Sequence, residues 1–91
     1  MKVFELVKDF EYEVINGDIN REISTLVSDN RKLTKDCVFV CIEGANFDGH
    51  SVVNDAFKCN AAAVIVMKNV EVPENINTAV IKVKDTREAL A

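Results

Sequence analysis

This chain has one histidine, His50, one proline, Pro73, and three cysteines, Cys37, Cys41 and Cys59, with no CxxC pair among them. An odd cysteine count without paired spacing fits reduced thiols better than a disulfide framework. A zinc site would need an unusual ligand set drawn from distant cysteines, so no metal is expected. No basic run exceeds Arg31-Lys32, and 11 Lys and Arg against 15 Asp and Glu leave a formal net charge of -4, which argues against nucleic acid as a partner. The longest apolar run, residues 61–67, is far short of the roughly 20 residues of a membrane-crossing helix. The N-terminus shows no apolar signal core, so the expected location is cytoplasmic, with no membrane partner. Neither GxGxxG nor GxxxxGK[ST] occurs, which removes the dinucleotide fingerprint and the P-loop.

What is present suits one small domain. The length is 91 residues, the hydrophobic fraction 48% and the charged fraction 29%, values of an ordinary soluble globular protein with a real core. Along residues 2–10, Val3, Phe4, Leu6, Val7 and Phe10 recur at helical spacing. A short strand over 12–15 ends at the turn Asn16-Gly17-Asp18, and a second is expected over 22–27, rich in β-branched residues. Residues 38–42 and 61–67 are apolar on both faces, as strands buried on both sides are. Between them, Val52, Val53, Ala56 and Phe57 share a helical face over 51–59, with Ser51 as the expected N-cap and Asn60 closing the helix in the left-handed conformation. Residues 70–77 read as a surface connection with a short extended piece at 70–72. A last strand is expected over 78–83, and a helix with Thr86 as its N-cap is expected to begin at Arg87 and be cut off by the chain end, as in a truncated protein. The class is α/β: a small mixed or parallel sheet with flanking helices.

Two polar stretches at strand ends carry the candidate chemistry. Ser28, Asp29, Asn30 and Arg31 present a hydroxyl, a carboxylate, an amide and a guanidinium within one turn. The amide matches the imide edge of a pyrimidine, and Arg31 can face phosphate or pair with Asp29. The plainer alternative is a capped turn with a local ion pair. The second stretch is the glycine-bounded loop Gly44, Ala45, Asn46, Phe47, Asp48, Gly49 and His50. Its backbone N–H groups near the helix start can receive an anion, Asn46 can hydrogen-bond a ligand, and the Phe47 ring can cover a flat base. The structural alternative has Gly44 and Gly49 at positive φ, Asp48 capping backbone amides and Phe47 packed on the core. His50 has only Asp48 nearby in sequence as an activating partner, which favours a structural or ligand-contacting role over general-base catalysis. Cys37 and Cys41, about 13 Å apart at ~3.3 Å per strand residue, cannot pair and read as packing residues.

Taken together, Asp29-Asn30-Arg31, Asp36-Cys37-Val38-Phe39-Val40, residues 44–50 and Asn60-Ala61-Ala62-Ala63-Val64-Ile65-Val66 resemble the N-terminal domain of the Mur ligases. The likeness is strongest to the MurE type, a UDP-N-acetylmuramoyl-L-alanyl-D-glutamate ligase and tripeptide synthetase. The family pattern is Asp-Ser-Arg, Gly-Asp-Leu-Phe-Val, Gly-x-x-x-Asp-Gly-His and Gly-Ala-x-Ala-Val-Val-Val. The resemblance implies that residues 1–91 are a single substrate-binding domain for the UDP moiety of a UDP-N-acetylmuramoyl-dipeptide in peptidoglycan precursor synthesis. It implies contacts from Ser28, Asn30, Ala45, Asn46 and Phe47, with Asp29, Arg31, Gly44, Asp48, Gly49 and His50 supporting them. Asn30 stands where the family has serine, which leaves that hydrogen bond made by an amide, altered in length, or absent. The resemblance further implies a parent enzyme that uses ATP and Mg2+ through domains beyond this stretch, and no catalytic residue, cofactor or metal within it. Two other readings remain open: a free-standing interaction or regulatory domain that kept the fold and lost nucleotide binding, and a small enzyme using His50 and a cysteine.

Overall fold

The computed structural model describes residues 1–86. In chain order the elements are α1 (Val3–Val7), β1 (Tyr12–Asn16), β2 (Leu26–Val27), β3 (Val38–Val40), α2 (Val53–Lys58), β4 (Ala63–Val66) and β5 (Ala79–Val83). They build one five-stranded sheet in the order β1-β5-β4-β3-β2. Strands β2 to β5 run parallel, and β1 closes the sheet antiparallel to β5. The expected mixed α/β sheet is therefore what the chain forms.

The two-sided apolar strands have a direct cause. Val38 and Val40 of β3, Ile65 of β4 and Ile81 of β5 point to one face and pack with Val3 and Val7 of α1. Phe39, Val64, Val66 and Val80 point to the other and pack with Val53 and Ala56 of α2. Both faces are covered, so neither strand alternates with polar residues. Each fully buried Ile or Phe contributes about 1.5–3 kcal/mol. Cys37 and Cys41 share the parity of Phe39 and are buried in the α2-side cluster, as packing residues.

Several expected boundaries move. The first helix stops at Val7, and Phe10 turns back to donate its N–H to the Val7 carbonyl. So short a helix needs tertiary support. The N–H groups of Val3 and Phe4 donate to the carbonyls of Arg21 and Ile19. The second strand shrinks to Leu26–Val27: Glu22 bridges antiparallel to Lys2, and only Leu26 and Val27 are in ladder register with β3, with the Thr25 carbonyl accepting the Val38 N–H at 2.8 Å. Ser51 is not a helix cap: a 3-10 turn, Gly49–Val52, precedes α2, and Asp48 caps that turn while the Ser51 hydroxyl donates to the Asp48 carbonyl at 2.7 Å. Residues 70–72 form no strand, though Val70 and Val72 pack half-buried against the α2-side cluster. Thr86 is buried, with Oγ1 donating to Met67 Sδ at 3.4 Å; the expected helix over 87–91 lies outside the described residues.

Left-handed backbone appears at Asn60 (φ 60°), as expected of the residue closing α2, and at Asp36 (φ 64°) just before β3. Arg21 ties the two positions together. Its guanidinium donates to Asp36 Oδ1 at 2.8 Å and to the Asn60 carbonyl at 3.1 Å. Gly17 has φ +82°, and a Cβ there would lie 2.6 Å from Ala79 Cα, so the 16–18 turn requires glycine.

Candidate functional site

The parallel strands end at one edge of the sheet, where α/β proteins bind ligands. The strand order carries no reversal, so the site is not a switch-point crevice; it arises because β2 and β3 are neighbours and the loops after them face each other. An open cleft of about 360 Å³ lies between those loops, lined by Ser28, Asp29, Asn30, Arg31 and Phe47. Of the second stretch singled out in the sequence, Phe47 alone shares this concavity with residues 28–31; Asp48 and His50 line a separate groove with Lys68.

On the first lip, residues Asn30–Lys32 form a 3-10 turn capped by Asp29. Asp29 Oδ1 accepts the Arg31 backbone N–H at 2.9 Å and Arg31 Nε at 3.1 Å, while Oδ2 accepts Nη2 at 2.9 Å. This two-point ion pair, helped by the backbone bond, pulls the Asp29 carboxyl down to about 2. The local ion pair considered for this turn is formed, and Arg31 is engaged by Asp29. Among the described residues, the Ser28 hydroxyl and the Asn30 amide have no side-chain hydrogen-bond partner, which leaves both able to bind a ligand.

The second lip is a tight turn. Gly44 N–H donates to the Phe47 carbonyl at 2.8 Å, and Glu43 bridges Asp48 across the turn. Neither Gly44 nor Gly49 has positive φ, contrary to the structural alternative; glycine suits position 49 because a Cβ would crowd the backbone at Ile42 N, 3.0 Å away, and Cys41 Cα, 3.1 Å away. Phe47 does not pack on the core: it is 51% exposed and offers its ring to the cleft. Ala45 and Asn46 sit exposed at the turn's tip, outside the cleft lining. The expectation of free N–H groups at the helix start also changes, because Asp48 Oδ1 accepts the His50 N–H at 3.0 Å.

His50 is buried, and both ring nitrogens are used within the chain. Nε2 accepts the Met67 N–H at 3.1 Å, which places the proton on Nδ1, 2.6 Å from Asp48 Oδ1. The ring therefore pins the loop after β3 to the residue that follows β4. Asp48 also accepts Lys68 Nζ, and Lys68 lies 3.9 Å from Glu43. The Lys68 bond, seconded by the His50 bonds, holds the Asp48 carboxyl well below the usual carboxylate range. Burial, with the Asp48 charge nearby, pushes the Cys41 thiol up to about 12, and burial also raises Cys59. With the imidazole nitrogens engaged and these thiols kept protonated, a nucleophile and base pair has no support. Lys68 escaped sequence reasoning, although its place just past a two-sided strand marks it as a residue of the ligand edge.

A family model described as "Mur ligase family, catalytic domain" matches residues 22–91. The UDP-N-acetylmuramoyl-L-alanyl-D-glutamate–2,6-diaminopimelate ligase of Clostridium perfringens is 44% identical over 86 residues, covering 94% of this chain and 17% of that protein. Ligase 2 of the same name from Clostridium acetobutylicum is 39% identical over 92 residues, covering 100% of this chain and 19% of its own length. The chain thus spans under a fifth of the length of these relatives. Among solved structures, the UDP-N-acetylmuramoylalanyl-D-glutamyl-2,6-diaminopimelate–D-alanyl-D-alanyl ligase of Acinetobacter baumannii superposes with a TM-score of 0.80 at 22% identity, over 98% of this chain and 19% of that one. The MurF ligase of Thermotoga maritima, solved with ADP, gives 0.62 at 23% identity over 72% of this chain and 14% of that one. These structures share the fold, and the matched family model, spanning both lips of the cleft, gives the fold its name: this chain belongs to the Mur ligase family, as a domain of the N-terminal type.

Proposed function

We propose that the cleft between residues 28–31 and Phe47 binds the uridine end of a UDP-N-acetylmuramoyl-dipeptide. Residues 1–91 then act as the first, substrate-binding domain of an ATP-dependent ligase that extends the peptide of a peptidoglycan precursor. The observation that carries the reading is the cleft itself. It brings an exposed aromatic ring opposite a hydroxyl and an amide without side-chain partners, the combination a flat, polar base requires. The names of the relatives support the substrate class, since those ligases act on UDP-N-acetylmuramoyl-L-alanyl-D-glutamate.

Catalysis belongs to other domains of such a ligase. Among the described residues no three His, Cys, Asp or Glu side chains cluster to hold a metal ion. Within the site Ser28 and Asn30 hydrogen-bond the base and ribose, Phe47 stacks, and Ala45 and Asn46 contact the ligand from the turn's tip. Asp29, Arg31, Gly44, Asp48, Gly49 and His50 hold the two lips. Replacing Ser28 or Asn30 by Ala removes one hydrogen bond each, and UDP affinity measured by calorimetry falls about fivefold per substitution with an unchanged melting temperature. Unchanged affinity in both variants contradicts the assignment.

A further inference from the structure

Three cysteines belong to the α2-side cluster, and two of them meet at one end of it. Cys37 is fully buried just before β3, while Cys59 is half-buried at the C-terminal end of α2. The backbone brings them together. Residues 34–37 turn sharply, with Asp36 at φ 64° and the Cys37 N–H donating to the Thr34 carbonyl at 3.3 Å. The Cys59 thiol reaches that same carbonyl at 3.6 Å, as well as the Ala56 carbonyl at 3.3 Å. The neighbouring residues lock this approach: the Asp36 N–H donates to the Asn60 carbonyl at 3.2 Å, and the Ala62 N–H to the Cys37 carbonyl at 2.8 Å. Cys37 points to the sheet face that α2 covers, Cys59 packs against the same residues, and the two thiols interact side chain to side chain. Cys41 shares the cluster but lies four residues further on, about 13 Å away at ~3.3 Å per strand residue. The arrangement pairs one thiol open to a reagent with one that can be met only inside the fold.

We propose that Cys37 and Cys59 are a thiol pair that a low-molecular-weight disulfide converts to an intramolecular disulfide, stapling the end of α2 to the start of β3. In the first step Cys59 Sγ attacks the reagent, forms a mixed disulfide and releases one small thiol. Cys37 Sγ then attacks the Cys59 sulfur and expels the second small thiol. The protein loses two protons and two electrons, and the reagent leaves as two thiols. Burial raises the Cys59 thiol, which slows the first exchange without altering its end point. The closed loop spans residues 37–59, so β3, the 44–50 turn and α2 become one covalent ring. The test treats the 91-residue chain with oxidised glutathione in mildly alkaline buffer, then alkylates it in denaturant and maps its peptides by mass spectrometry. The expected result is a chain lighter by two hydrogens, with the peptides of Cys37 and Cys59 joined and Cys41 alone alkylated. Its circular dichroism stays native, and its melting temperature rises by about 5–15 °C until dithiothreitol reverses both changes. Cys59→Ser, at a half-buried position, forms no internal bond, whereas Cys41→Ala cross-links as the wild type does. Glutathione retained on Cys59 as the end product overturns the proposal, as does a bond that includes Cys41. A bond formed only with loss of the native spectrum, or one that leaves the melting temperature unraised, overturns it as well, because the thiols would then meet only outside the native packing.

Discussion

Asp48→Asn is the substitution that measures how the second lip is held. The carboxylate accepts the His50 N–H at 3.0 Å and the His50 ring at 2.6 Å, and it also takes Lys68. Asparagine keeps the shape and one oxygen but removes the charge. A hydrogen bond to a charged acceptor contributes about 1.5–3 kcal/mol and a neutral one about 0.5–1.5, so each His50 bond loses about 1 kcal/mol. The Asp48 side chain is 29% exposed, and solvent trims the sum to about 1–2 kcal/mol; the more exposed Lys68 pair adds little. For a domain of this size that is a fall in melting temperature of about 5–15 °C at neutral pH. The charge also fixes the pH dependence. The folded-state carboxyl lies below its unfolded value of about 3.9, so the stabilisation is complete above that value and is lost as pH falls through it toward the folded one. Thermal melts followed by circular dichroism then show a gap between wild type and variant that is widest near neutrality and narrows steadily below about pH 4. A gap under about 2 °C at neutral pH, or one that stays constant into acid, refutes the reasoning.

Three further outcomes follow from the same geometry. Replacing His50 by Ala removes the acceptor of the Met67 N–H and costs about 1–3 kcal/mol in urea unfolding. Gly49→Ala drives a Cβ to about 3 Å from the backbone of Cys41 and Ile42 and costs about 1–3 kcal/mol, with amide shifts spreading through residues 41–50. Phe47→Ala leaves stability within about 0.5 kcal/mol because the ring is half exposed, yet weakens uridine nucleotide binding about fivefold or more; equal affinity would remove the ring from the site.

The parts of the fold legible in the sequence were those that one segment decides for itself. Residues 38–42 and 61–67 announced strands buried on both faces, and Asn60 announced a left-handed helix end, because these depend on local composition and backbone preference. Element lengths were less legible, since distant partners set them. The apolar spacing of α1 runs on to Phe10, but the helix lasts only as far as Arg21 and Ile19 offer acceptors to its first turn and Phe10 turns back. Ser51 looked like a cap because a helix was expected to begin after it, whereas the 3-10 turn moves that duty to Asp48. In the site, the sequence placed both lips at strand ends, and the adjacency of β2 and β3 made them one cleft. It could not reveal that His50 spends its second nitrogen on Met67, or that Lys68 answers Asp48, because those contacts close only when β4 lies beside β3.

The central claim is that residues 28–31 and Phe47 together hold the uridine of the substrate. Its most direct measurement is an amide chemical-shift map of the chain titrated with UDP up to millimolar concentration. The account predicts saturable shifts concentrated at residues 28–31 and 44–48, with a common dissociation constant at both lips. Shifts confined to another part of the surface, or saturation at one lip without the other, contradict it.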